Sequence, residues 1–235
     1  MRRLLILGLI LAGASANAAV EPAVQRVAEG VYALVGPTGP RSYDNDALNA
    51  NLGFVVTAQG VVLIDSGATV ASGPRIDAAI HRVTPRPVRW VINTGSQDHR
   101  WLGNGYFADR GAEIIALART VRTQRRFADQ ELDALRPILK ERLADTRPVH
   151  ASRPLPGDKA SLVLGGTAVE LHWFGDAHFP GDAVVWLPRE RVLFSGDLIF
   201  ADRMLGVLPW SSVQSWRRAF HRAVDALRPE VIVPG

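Results

Sequence analysis

The sequence predicts an α/β protein in which two β-sheets pack together with helices outside them. Strand-like runs fall into two groups, one between residues 31 and 118 and one between 161 and 233, and each group is followed by an amphipathic helix. Polar clusters rich in Asp, His and Gly sit where strands should end, at residues 94–100, 176–182 and 195–197. Strand ends are where α/β proteins usually keep their chemistry.

The elements follow in order. Residues 31–35, 52–57 and 61–64 are short β-branched or apolar runs divided by glycine, proline and polar turns, with Gln59-Gly60 as a hairpin turn. Asp65-Ser66-Gly67 ends the third run. A helix is expected over 74–83, closed by Pro85 and Pro87, before a strand over 88–93. A short helix should cover 101–108, and a strand 113–118. Residues 120–144 are charged and periodic, with Phe127, Leu132, Leu135, Ile138, Leu139 and Leu143 on one side. They predict a long amphipathic helix broken near Pro137. Strands return over 161–164, 168–174, 183–187 and 192–195. Ser211 or Ser212 should cap a last helix that buries Val213, Trp216, Phe220, Val224 and Leu227, ahead of a final strand at 231–233. There is no solenoid repeat and no low-complexity linker.

Composition narrows the function. Arg2 and Arg3, an apolar run over 4–11 and Ala16-Asn17-Ala18 form an export signal over residues 1–18. That leaves one domain over 19–235, expected in a periplasm or outside the cell. The chain has no cysteine, so a metal must be held by His, Asp, Glu or amide oxygens. The net charge of +4 includes the two signal arginines, which speaks against a nucleic-acid surface. Arg119, Arg122, Arg125 and Arg126 cluster at helical spacing, as a solvated face or as an anion patch.

Of the six histidines, His81 and His221 lie among arginines on expected helices, His150 lies in a proline-rich loop, and His172 alternates with apolar neighbours in a strand. His172 reads as a hydrogen-bonded structural residue, and the other three are assigned no role. His99 and His178 differ: each follows a strand and stands beside an acidic residue, and Asp197 joins them in a Ser-Gly-Asp turn.

Several segments in this order resemble the metallo-β-lactamase superfamily: Leu63-Ile64-Asp65-Ser66-Gly67, Ile92-Asn93-Thr94, Leu102-Gly103-Asn104, His178-Phe179-Pro180-Gly181-Asp182, Leu193-Phe194-Ser195-Gly196-Asp197 and the run from Arg228 to Gly235. The resemblance implies a four-layer αββα sandwich with a metal cleft at the sheet edges. It also implies an H-x-H-x-D-H motif, which this chain departs from. An ungapped register places Gly95 and Gln97 at the first two histidines, His99 at the aspartate and Arg100 at the last histidine. A register slid by one residue keeps Asp98-His99 as D-H and puts Thr94 and Ser96 at the first two positions. The ungapped register is preferred, because the slid one needs an insertion that rotates the following helix by about 100°. The chain also stops at Gly235, where the resemblance implies a further ligand histidine, so the sequence is either truncated there or lacks that ligand.

On this resemblance, His99, His178 and Asp197 are the expected metal ligands, with Gln97 and Asp98 as weaker candidates. Two imidazoles and a carboxylate suit one Zn2+ rather than two, with Fe2+ as the other candidate. Asp98 is the expected general base. Arg100 would fill the second metal's space and steady an oxyanion. The function implied is an exported metal-dependent hydrolase acting on an ester, thioester, amide or related small-molecule bond. A β-lactamase is a narrower reading, ranked lower because its zinc set is not intact. The reading from another class is a non-catalytic periplasmic binding or accessory protein on the same fold. A small-molecule substrate is the expected partner, with no nucleic acid and no membrane anchor after signal cleavage. Oligomeric state is not legible.

Overall fold

The computed structural model describes residues 22–235, so the expected export signal lies outside it. The first sheet has six strands in sequence order: β1 (Ala23–Ala28), β2 (Val31–Val35), β3 (Leu52–Val56), β4 (Val61–Ile64), β5 (Val88–Ile92) and β6 (Glu113–Ile115). Pairing is antiparallel from β1 to β4 and parallel from β4 to β6. The switch follows from the connections. Short turns join β1 to β2 and β3 to β4 and a longer loop over 36–51 joins β2 to β3, whereas helix α1 (Gly73–His81) and then helices α2 (Asp98–Trp101) and α3 (Asn104–Ala108) carry the chain back between the parallel strands.

The second sheet runs β11-β10-β9-β8-β7, with β7 (Lys159–Leu164), β8 (Thr167–His172), β9 (Val184–Leu187), β10 (Val192–Phe194) and β11 (Val231–Val233). Helix α5 (Val213–Leu227) crosses from β10 to its parallel neighbour β11. A long helix, α4 (Ala118–Leu139), links the two halves.

Side-chain alternation builds the layers. In β4, Val62 and Ile64 point into the space between the sheets, where they meet Val185, Leu187 and Phe194; Val61 and Leu63 point the other way, onto Ile76 and Ile80 of α1. Both faces of this strand are covered, so all four residues are buried and the run shows no polar alternation. Beneath the second sheet, Trp186 and Leu193 pack on Trp216, Ala219 and Ala223 of α5. The order is therefore helix, sheet, sheet, helix, as the sequence implies. Gly53 fits this packing closely: a Cβ there would lie 2.0 Å from the Phe194 ring.

Four local expectations need correction. Strand β1 was not anticipated, since Ala23–Ala28 lies at a sheet edge and is largely polar or exposed. The strand expected over 113–118 ends at Ile115. Helix α4 runs through Pro137 and ends at Lys140, which takes a positive φ of 51°. Finally, Val213 and Phe220 are exposed rather than buried; Trp216, Ala219 and Ala223 are the buried residues of α5, with Leu227 half-buried against them.

Candidate functional site

The ends of β5, β8 and β10 bring the three polar clusters to one edge of the sandwich, beside Asp65 at the end of β4. Asp65, just after β4, has a positive φ of 63°. Its carboxylate holds that backbone in place and ties the strand ends together: Oδ1 accepts the Thr94 amide at 2.7 Å, and Oδ2 accepts the Thr94 hydroxyl at 2.7 Å. The Thr94 carbonyl in turn accepts the Ala183 amide at 2.6 Å, which joins the edge of the second sheet. Asn93 Nδ2 bonds the Arg100 carbonyl and the Asn104 amide oxygen, and so fixes where α2 begins.

Arg100 lies at the centre of the site. Its Nη1 donates to Asp65 Oδ2 at 3.0 Å and to the Asn51 carbonyl at 2.9 Å, and its Nη2 donates to Asp197 Oδ1 at 2.7 Å. The guanidinium is buried between the two carboxylates. Burial opposes ionisation of Asp197, but Arg100 and then His99 hold its carboxyl well below the usual range. Asp182 shifts the other way: burial, and then the charge of Asp197, raise its pKa well above the ordinary value.

His178 sits opposite Gln97. Its Nδ1 is 2.7 Å from the Gly206 carbonyl and its Nε2 is 3.0 Å from Gln97 Oε1, while burial lowers its pKa. His99 lies between two carboxylates, with Nδ1 3.1 Å from Asp98 Oδ1 and Nε2 3.5 Å from Asp197 Oδ1. Asp98 also accepts Arg41 Nη2 at 2.5 Å. Burial opposes its charge, but Arg41 and then His99 bring its pKa down to about 2. Its backbone N–H donates to Glu131 Oε2 at 3.0 Å.

The model of the "Metallo-beta-lactamase superfamily" matches residues 45–235 of this chain. The chain belongs to that superfamily. Among curated relatives, it is 25% identical to the Metallo-beta-lactamase type 2 of Elizabethkingia meningoseptica over 94% of its own length and 81% of the relative's. It is 24% identical to Metallo-beta-lactamase IND-1 of Chryseobacterium indologenes over 87% of its length and 77% of the relative's. The solved structure of a metallo-beta-lactamase from Pontibacter korlensis superposes with a TM-score of 0.72 at 20% identity, covering 91% of this chain and 90% of that one, a likeness of fold.

Metal binding is a property of the superfamily, typically of zinc, so the donor set of this member can be compared with what an ion needs. The geometry supports the ungapped register. Gln97, not Ser96, faces His178; Ser96 is buried with its hydroxyl on the Thr120 carbonyl. At the first metal position of the superfamily, then, Gly95 supplies no donor and Gln97 and His178 supply two. Even a catalytic zinc needs three protein donors and water. At the second position, the Arg100 guanidinium lies against Asp197. Among the described residues, no group of three or more His, Asp or Glu side chains is arranged to hold an ion. His99 and Asp197 stand together, but His178 turns to Gln97 and Gly206. These residues do not fit the two-ion centre, nor do they form the three-donor set that the sequence suggested.

Gly95 explains how an arginine fits there. A Cβ at residue 95 would lie 3.0 Å from Asp182 Oδ1 and 3.3 Å from Arg100 Cγ. A side chain at 95 would require Asp182 and the stem of residue 100 each to give by a few tenths of an ångström, which links the two departures from the family motif. Both terminal nitrogens of Arg100 are bonded to protein acceptors.

Arg41 and Glu131 escaped the sequence reading. Arg41 lies in the loop over 36–51, which the sequence offered as a cleft border or a simple connection, and nothing in its spacing distinguishes it from other arginines. Glu131 is one acid among several on α4. His172 Nε2 lies 2.8 Å from Glu170 Oε2, and the His150 ring stacks on Trp101. Trp210 packs on Phe127 and Phe179.

Proposed function

We propose that this chain is an exported small-molecule-binding or accessory member of the superfamily whose centre is closed by an internal ion network rather than by metal. The observation that carries this reading is Arg100, buried between Asp65 and Asp197 at the second metal position. A guanidinium there supplies one fixed positive charge where a cation would otherwise sit, and repels a second cation. Export rests on the basic, apolar and small-residue pattern of residues 2–18. No helix of the described residues is long and apolar enough to cross a membrane.

A metal-dependent hydrolase acting on an ester, thioester or amide, with one zinc on His99, His178 and Asp197, is the second reading. It is favoured by three buried atoms without a partner: His99 Nε2, Asp182 Oδ1 and Asp197 Oδ2. A β-lactamase is its narrower form, since the relatives at 24–25% identity carry that name.

Elemental analysis separates the two. Protein purified from zinc-supplemented medium without chelator should carry far less than one ion per chain, and its melting temperature should not respond to EDTA. One zinc per chain, lost on His99→Ala and on His178→Ala, would establish the hydrolase reading instead.

A further inference from the structure

The residues that α5 fails to bury line a cleft of about 450 Å³ between that helix and the loop that follows Asp197. Its size is that of small-molecule sites, roughly 300–1,000 Å³. Phe200, Trp216 and Phe220 provide aromatic surface, and Leu205 and Val207 contribute from the loop. Leu205, Val207 and Val213 are each more than half exposed, a cost in water that an apolar occupant would remove. The lining contains two arginines, Arg203 and Arg217, and no acid.

We propose that this cleft binds an amphipathic organic anion, a molecule with an apolar chain or ring and one acidic group. The apolar body would lie on the Phe200, Trp216 and Phe220 surface, and the anionic group between Arg203 and Arg217. Charge selects this occupant over a neutral one. Arg203 donates only to backbone carbonyls, those of Pro37, Gly39 and Asn49, and no carboxylate pairs with either arginine among the described residues. Burial, and then Arg41 and Arg100, lower the Arg203 pKa, so an arriving anion relieves crowding between cations. The cleft also adjoins the site. The His178 ring packs against Phe200 and Trp216, and its Nδ1 faces the Gly206 carbonyl, so an occupant presses on the wall that carries His178.

Fluorescence titration with 8-anilinonaphthalene-1-sulfonate, itself an aromatic anion, tests the proposal on the native protein. One probe should bind per chain, decanoate should displace it, and 1-decanol should compete about tenfold less well, a difference of about 1.4 kcal/mol. Decyl sulfate competing alongside decanoate would mark a site for anions in general; failure of decyl sulfate alone would mark a carboxylate site. Arg217→Gln, on the exposed face of α5, should remove most of the difference between decanoate and decanol. Leu205→Asp, on the loop, should abolish probe binding with the melting temperature unchanged. Decanol competing as well as decanoate would overturn the proposal. So would binding unaffected by Leu205→Asp, or a face covered by a second copy of the chain that admits no probe. None of the varied residues occupies a metal position, so the outcome is independent of zinc content.

Discussion

Arg100 Nη2 and Asp197 Oδ1 meet at 2.7 Å, with both side chains 1% exposed. In a fold whose relatives are named for metallo-enzymes, the carboxylate expected to bind an ion is held by a residue five places along from a glycine that stands where a histidine would. The pair cannot be broken cheaply. Removing one member of a buried ion pair leaves the other uncompensated, at a cost of about 3–5 kcal/mol.

Arg100→Ala should therefore destabilise the protein by about that amount in urea unfolding. Arg100→Lys should recover only part of it, because a single ammonium cannot reach Asp65, Asp197 and the Asn51 carbonyl together. If Arg100→Ala unfolds at the wild-type urea concentration, the network is not holding the site.

Gly95→His and Arg100→Ala should be strongly non-additive. Alone, the added Cβ lies 3.3 Å from Arg100 Cγ and 3.0 Å from Asp182 Oδ1, so both neighbours must give. With residue 100 shortened, the first of these two contacts is relieved. The coupling energy should be favourable by about 0.5–3 kcal/mol, the range for residues in contact. A coupling of zero would show that the glycine and the arginine are unrelated departures.

Stability should also respond to Glu131. Burial, and then the charge of Asp98, raise its pKa from 4.5 to about 7. A carboxyl raised on folding binds its proton more tightly in the folded state. Its contribution is therefore complete below about pH 4.5 and is lost as the pH rises towards about 7. Glu131→Gln keeps an oxygen for the Asp98 amide and cannot ionise. Melting temperatures between pH 5 and 8 should fall for the wild type and be flatter for the variant. Parallel curves would refute the assignment.

Gly53→Ala probes the packing of the two sheets. The added carbon would lie 2.0 Å from the Phe194 ring, and relieving that overlap should cost about 1–3 kcal/mol in thermal or urea unfolding. A neutral substitution would mean that the inner faces are less tightly packed than these positions imply.

The fold was legible because its signals are local and repeated. Apolar runs such as residues 61–64 bounded by turns, and periodic helices such as α4, each define one element, and their order defines the layers. Strand β1 was missed because an edge strand with one solvated face carries little apolar pattern. Val213 and Phe220 misled for the opposite reason: helical spacing marks an apolar stripe, but not whether the sheet beneath is wide enough to cover it. In the site, His99, His178, Asp197 and Arg100 stood out because they lie at strand ends in family-like flanks. Their pairing could not be read, since whether Asp197 meets a cation or a guanidinium depends on the direction of one side chain. Arg41 lay beyond reach for the same reason, as it joins Asp98 across 57 positions of sequence.

A charge built into the chain as Arg100 is never lost to a competing chelator and never has to be supplied. On the proposed reading, the polypeptide completes its centre in the act of folding, and scarcity of zinc would leave that centre unchanged.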